Sequence, residues 1–173
     1  MRDKAPPKGH PVATVSSKWG ETMRSAYRIL AIIIAVEVVI QAMAMVFAVA
    51  GLGIWVDEGG VLDKAAFESE DLSFTGVGGF IIHGINGMMI IPVLGLALLV
   101  ISFFAKVPGG VKIAGLVLGA IVVQVLLGVF GHESAYIGLL HGLNAFIVFS
   151  SAVYAARLAR TAGAETPTTA VAA

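Results

Sequence analysis

Two histidines recur in matching surroundings inside hydrophobic stretches of the chain. His83 begins the sequence His-Gly-Ile-Asn and His141 begins His-Gly-Leu-Asn, and the glutamines Gln41 and Gln124 precede them on earlier apolar stretches. A neutral imidazole ligates a transition metal through one of its two ring nitrogens. Two imidazoles held at one level can therefore ligate a single metal ion from opposite sides.

The shared pattern predicts a duplicated pair of helices. Aligning the two glutamines also aligns the two histidines, and Asn86 and Asn144 follow the histidines by three residues. Residues three apart lie on the same face of a helix. Because an unsatisfied amide in hydrocarbon is costly, we expect both asparagines to bond neighbouring helices through Gln41 and Gln124. They support the histidines and do not ligate the metal.

The composition is typical of a membrane protein. The 173 residues are 58% hydrophobic and 13% charged, with a mean hydropathy of +0.93. We predict an all-α integral membrane protein with four transmembrane helices, arranged as two tandem helix pairs, 26–105 and 111–157, about a pseudo-twofold axis. The predicted spans, each near the length of about 20 residues that crosses a bilayer, are 26–52, 78–105, 111–130 and 135–157.

The positions of lysine and arginine predict the orientation. They concentrate before the first helix, between the second and third, and after the fourth, whereas the loop 53–77 carries six carboxylates and one lysine. We therefore place both termini in the cytoplasm of a multi-pass plasma-membrane protein. Residues 1–25 are expected to be a basic disordered arm and residues 158–173 a disordered tail around a transmembrane domain of 26–157. The net charge of zero gives no indication of nucleic acid binding, and the expected partner is the lipid bilayer.

Helix geometry places the two histidines at one depth. Each lies about five or six residues into its helix from the outer surface, or roughly 8 to 9 Å at 1.5 Å per residue. A heme b with two axial imidazoles needs no cysteine, and the chain has none. We predict that His83 and His141 bind one heme b, with Gly84 and Gly142 beside the porphyrin. The small residues that leave room for it are Gly79, Gly84, Gly87, Gly138 and Gly142.

A resemblance to a known family points the same way. The stretch Gln124-Val-Leu-Leu-Gly128, a short turn and then a helix with His141 resemble the helix pairs of the heme A synthase family. That family has two four-helix halves, each with a histidine on its second and fourth helices, so the resemblance implies that His83 and His141 are heme ligands. The chain lacks the second half, the loop cysteines and a glutamate three residues before a histidine, where Phe80 stands. Heme binding is what the resemblance implies here.

Other side chains inside the predicted spans are weaker candidates for a functional role. Glu37 is the one acid there, and a carboxyl in a membrane is a candidate for a proton relay; the alternative is a protonated glutamate bonded to a neighbouring helix. Methionines suit Cu(I), but packing against lipid explains them better. No catalytic residue is assigned. The methionines concerned are Met43, Met45, Met88 and Met89.

Two classes of function follow. The first is a b-type cytochrome that passes electrons between quinone, or other respiratory-chain subunits, and an acceptor, with the acidic outer loop 53–77 available to dock a basic redox partner. The second is a cofactor-free structural or accessory subunit in which the repeated polar residues hold helices together. A stand-alone enzyme is favoured less than either, because the sequence shows neither substrate access nor a second redox centre.

Overall fold

The computed structural model describes residues 15–68, 72–131 and 133–164. Residues 1–14 and 165–173, which belong to the predicted arm and tail, lie outside these ranges, as does His132. A π-helical segment, Asn86–Ile90, joins α3 to α4. The helices are α1 Val15–Asp57, α2 Lys64–Glu68, α3 Gly78–Ile85, α4 Ile91–Ser102, α5 Gly110–Phe130 and α6 Ala135–Ala164.

Four helical segments are long and apolar enough to cross a membrane, which confirms the predicted all-helical, four-span character of the chain. The second predicted span begins at Gly78 and the fourth at Ala135, as expected, and the third ends at Phe130. The duplicated helix pair and the side of the membrane on which the termini lie stay predictions. The four segments are Lys18–Asp57, Gly78–Ser102, Gly110–Phe130 and Ala135–Gly163.

The first and last helices are longer than predicted. α1 begins at Val15, so residues 15–25 are helical and the expectation that they belong to a disordered arm is wrong. α6 likewise continues to Ala164, into the segment predicted to be a disordered tail. Adding a residue to an existing helix costs little once the helix has nucleated, so polar residues extend an apolar helix beyond its apolar part.

The spans form a closed four-helix ring. α1 contacts α6, α6 contacts α5, α5 contacts α4, and α3 and α4 contact α1. The two histidine-bearing spans therefore lie across the bundle from each other. The start of α1 and the end of α6 lie together, since the guanidinium of Arg24 donates a 3.5 Å hydrogen bond to the carbonyl of Ala162.

The core is built from small and medium apolar residues. Ala31, Ala114 and Ala152 are fully buried and let the helices approach closely, while Leu98 fills the space between them. Long aliphatic and aromatic side chains instead cover the outside of the bundle. Close packing through small residues and an apolar exterior are what a helix bundle in lipid requires.

The π-helical segment lies directly after the first histidine helix. The amide of Ile91 donates to the carbonyl of Asn86, a π-type bond, and Pro92 follows. Because proline has no amide proton and its ring crowds the preceding turn, the regular α-helical bonds cannot continue through this position. Short π segments of this kind often occur at functional sites.

Glycines let the chain before α3 lie directly against α1. A Cβ at Gly51 would overlap the carbonyl of Thr75, and a Cβ at Gly79 would overlap the carbonyl of Ala44. The ring of Phe74 packs 6.2 Å from the ring of Trp55, between centroids. The part of the loop 53–77 that precedes α3 is thus fixed to the end of α1 distant from the chain termini.

Candidate functional site

The structure brings the two predicted ligand residues together across the bundle. The ring centroids of His83 on α3 and His141 on α6 are 5.9 Å apart, and the ring planes meet at 63°. Each side chain is half-buried. Each also lies in the second turn of its helix, because α3 begins at Gly78 and α6 at Ala135.

Gln124 on α5 contacts both nitrogens of the His141 ring. Nδ1 of His141 lies 3.1 Å from the backbone carbonyl of Gln124, and Nε2 lies 3.1 Å from the side-chain Nε2 of the same residue. A carbonyl only accepts, so Nδ1 carries the proton and donates it. Nε2 then holds the lone pair and accepts from the glutamine amide. The neutral tautomer that can ligate a metal through Nε2 is therefore fixed by a backbone group.

Asn144 completes a hydrogen-bonded network between α5 and α6. Its Nδ2 donates to the carbonyl of Ala120 at 2.9 Å and to Oε1 of Gln124 at 2.8 Å. The predicted bond between this asparagine and its glutamine is therefore present. Because Oε1 of Gln124 accepts from Asn144, its Nε2 is directed at His141.

The polar residues of α1 and α3 pair differently. Nδ2 of Asn86 donates to Oε2 of Glu37 at 2.7 Å, so the expectation that Asn86 bonds Gln41 is wrong. A carboxylate accepts more strongly than an amide, and in the other helix pair the position equivalent to Glu37 is Ala120, which offers only its backbone carbonyl.

Four buried polar atoms on the α1 and α3 side of the site have no hydrogen-bond partner among the described residues. They are Oε1 and Nε2 of Gln41, Nδ1 of His83 and Oδ1 of Asn86. In contrast to His141, the His83 ring therefore has no hydrogen bond at Nδ1 among the described residues. A buried polar group without a partner costs about 1 to 3 kcal/mol. The α1 and α3 side of the site can therefore bind a polar ligand group, whereas the α5 and α6 side is already satisfied.

The glycines around the histidines fall into two groups. Gly84, Gly138 and Gly142 have no neighbouring atom within 4 Å of an added Cβ, so they leave the expected room. Gly79 and Gly87 do not, because the first packs on the backbone of α1 and the second on the Gln41 amide, 3.5 Å from an added Cβ.

One residue that contacts the site has no predicted role. A Cβ at Gly128 would lie 3.1 Å from Cε1 and 3.3 Å from Nδ1 of His141, so only glycine leaves the ring where it is. The signal for it was present in the sequence, since Gly128 follows Gln124 by four residues and so occupies the same face of α5.

The protein ligands available to a metal are limited to the two imidazoles. Within residues 15–68, 72–131 and 133–164, no group of three or more His, Cys, Asp or Glu side chains is placed to hold a metal ion. A bare Zn ion would need further ligands. Heme iron takes four ligands from the porphyrin, so two imidazoles would be enough protein ligands for it.

We compared the chain with protein family models, with curated proteins and with solved structures. None of them matches. The resemblance to the heme A synthase family therefore rests on the sequence around Gln124 and His141, and the function must be argued from the geometry of the site.

Proposed function

We propose that the protein is a membrane-embedded b-type cytochrome that binds one heme through His83 and His141. The observation that carries the proposal is the 5.9 Å between the two ring centroids. Two imidazoles this close could both reach one heme iron, which would take its other four ligands from the porphyrin. When bound, heme supplies one-electron redox chemistry.

Groups of α5 and α6 prepare His141 as a ligand. The carbonyl of Gln124 holds the proton of His141 on Nδ1, which leaves the lone pair on Nε2, where it accepts from the side-chain amide of Gln124. Ligation through Nε2 replaces the Gln124 amide as the partner of that nitrogen, while Asn144 continues to hold Oε1 of the same glutamine. Partners of this kind orient the ring and raise its basicity as a ligand. On the opposite helix pair, Nδ1 of His83 has no such partner among the described residues.

Glu37 is proposed as a proton acceptor coupled to reduction. Its carboxylate bonds Asn86, which lies one turn after His83 on the same span. Glu37→Gln keeps an acceptor for Asn86 and removes the carboxyl group that could take up a proton. We expect the variant to bind heme normally, while the pH dependence of its reduction potential falls from a value of up to about 59 mV per pH unit toward zero. Potentiometric titration at several pH values measures this; an unchanged slope rules out the relay.

The spectrum of the purified full-length protein tests the proposal. In detergent, oxidised and then dithionite-reduced, we expect a Soret band and sharp reduced α and β bands that disappear in His83→Ala and in His141→Ala. His10→Ala and His132→Ala remove the other two histidines of the chain and should leave the bands unchanged. A protein that stays colourless after hemin is supplied would refute heme binding.

A cofactor-free accessory subunit is the second candidate. The network of Gln124, His141 and Asn144 favours it, because every one of its hydrogen bonds forms within the protein. Under this alternative the polar residues stabilise α5 against α6. It predicts that His141→Ala lowers stability and that the protein takes up no hemin, so the same spectra distinguish the two functions.

We further propose a plasma-membrane location with both termini in the cytoplasm and with quinone or other respiratory-chain subunits as partners. The chain contains no cysteine, so single cysteines report sidedness without background. Val61→Cys, in the exposed part of the acidic loop, should react with a membrane-impermeant maleimide in intact cells. Thr22→Cys, near the start of α1, should react only after permeabilisation. The reverse pattern would overturn the orientation.

A further inference from the structure

An apolar groove runs between α1 and α6 at the end of the bundle where the chain termini lie. Its volume is about 270 Å³, and its floor is formed by Ala35 and Ala156, which are small and buried. Branched side chains such as Val36 and Val153 form its walls, and Phe149 closes the end that points into the bundle. Its lining residues extend over residues 28–39 of α1 and 149–160 of α6, so the groove follows the helices and suits an extended, flexible chain.

Three arginines stand at the opposite end of the groove. Arg28 comes from α1, and Arg157 and Arg160 come from α6. All three are exposed, and the one salt bridge among the described residues joins Lys64 to Glu68, so none of the guanidinium groups is paired with a carboxylate there. A guanidinium binds phosphate through two parallel hydrogen bonds.

We infer that the groove binds one anionic phospholipid, with its phosphate at the three arginines and an acyl chain along α1 and α6. From Arg28 to Val39, at the far end of the groove, the α1 backbone rises about 16 Å, enough for most of an acyl chain. Basic pockets between transmembrane helices are known binding sites for anionic lipid head groups. The inference stands apart from the heme proposal, since it uses none of the same residues.

The charge of the groove argues against another copy of the chain as its occupant. A twofold dimer across this face would bring two sets of Arg28, Arg157 and Arg160 together, and like charges at an interface are strongly unfavourable.

A second groove provides an internal comparison. It lies between α5 and α6, is lined by residues such as Leu116, Phe146 and Tyr154, and contains no charged side chain. Any phospholipid can occupy such a surface. The arginines thus distinguish the groove between α1 and α6 from this apolar one.

Native mass spectrometry of the full-length, delipidated protein tests the inference. The probes are dioleoyl phosphatidylglycerol, dioleoyl phosphatidylcholine and glycerol 3-phosphate. We expect one phosphatidylglycerol to bind in preference to phosphatidylcholine, with no comparable binding of glycerol phosphate. Replacing Arg28, Arg157 and Arg160 by glutamine should weaken phosphatidylglycerol binding about 100-fold. Each arginine near an anionic lipid head group strengthens binding about fivefold, and the three effects multiply.

Two controls separate the groove from general charge and from misfolding. Replacing the exposed Lys18, Lys106 and Lys112 by glutamine removes the same charge outside the groove and should leave the affinity within about threefold of wild type. Val36→Trp fills the groove from an exposed position and should abolish the preference. Val93→Trp, on the exposed face of α4, should not.

Several results would overturn the inference. These are equal binding of the two phospholipids, equal losses in the arginine and lysine variants, and retention of the preference in Val36→Trp. Glycerol phosphate competing as well as phosphatidylglycerol would assign the arginines to a soluble anion. A dimer that Val36→Trp dissociates, whatever the lipid, would assign the groove to a second copy.

Discussion

Gly128→Ala tests whether the His141 ring is held where the structure has it. The added Cβ would lie 3.1 Å from Cε1 of that ring, closer than an ordinary contact, so the ring must shift by a few tenths of an ångström. Two hydrogen bonds to Gln124 and the His83 ring 5.9 Å away restrain such a shift. Each interhelical bond of this kind is worth about 0.6 kcal/mol, so weakening both costs about 1 kcal/mol.

The assay is reversible unfolding in mixed micelles, carried out as a double-mutant cycle. The effect of Gly128→Ala on the free energy of unfolding is measured with His141 present and again in a His141→Ala background. Because alanine also favours the helix over glycine by about 0.5 to 1 kcal/mol, the difference between backgrounds isolates the contact with the ring. We expect the substitution to be about 1 kcal/mol less favourable when His141 is present, and heme affinity to fall about fivefold.

Gly119→Ala is the matched control on the same helix. No atom lies within 4 Å of an added Cβ at Gly119, so its effect should be the same with or without His141. If Gly128→Ala also behaves alike in both backgrounds, the ring does not rest on Gly128 and the geometry of the site described above is incorrect.

Two further sets of substitutions test the packing of the bundle. Gln41→Leu removes two buried amide atoms that have no partner among the described residues and should stabilise the heme-free protein by about 1 kcal/mol. Gln124→Leu breaks the two interhelical contacts of the glutamine side chain and should destabilise the protein; denaturant titration of the two variants shows whether the signs differ. Gly51→Ala should displace the chain at Thr75 and expose residues 72–77 to limited proteolysis, while Gly53→Ala, which meets no atom within 4 Å, should not; equal cleavage would contradict the close packing of residues 72–77 on α1.

The spans could be predicted from the sequence because most of their ends coincide with a change from apolar to polar residues. Helices begin at Gly78 and Ala135 and end at Phe130, where apolar runs meet glycine and polar residues. The ends of α1 and α6 could not be found this way. Hydropathy reports where lipid contact ends, and a helix continues into water for as long as its backbone bonds are favourable.

The site itself was predicted in part. The histidines and the bond from Asn144 to Gln124 lie where the repeated pattern suggests. The pairing of Asn86 with Glu37 depends on the relative height and rotation of two helices, which no local pattern encodes. Pro92 was a usable sign of the π segment, since a proline inside a span must disturb the turn before it.

The length of α1 has a mechanical consequence. The helix is continuous over 43 residues, about 64 Å at 1.5 Å per residue, against a hydrocarbon thickness of about 30 Å. It therefore extends beyond the hydrocarbon on both sides as one continuous helix that can tilt about its middle. A change in tilt of about 10° moves its two tips in opposite directions by about 5 Å each. Because α1 packs against α3, α4 and α6, a partner that tilts it from the loop side would move these helices as well and would be sensed at the terminal side.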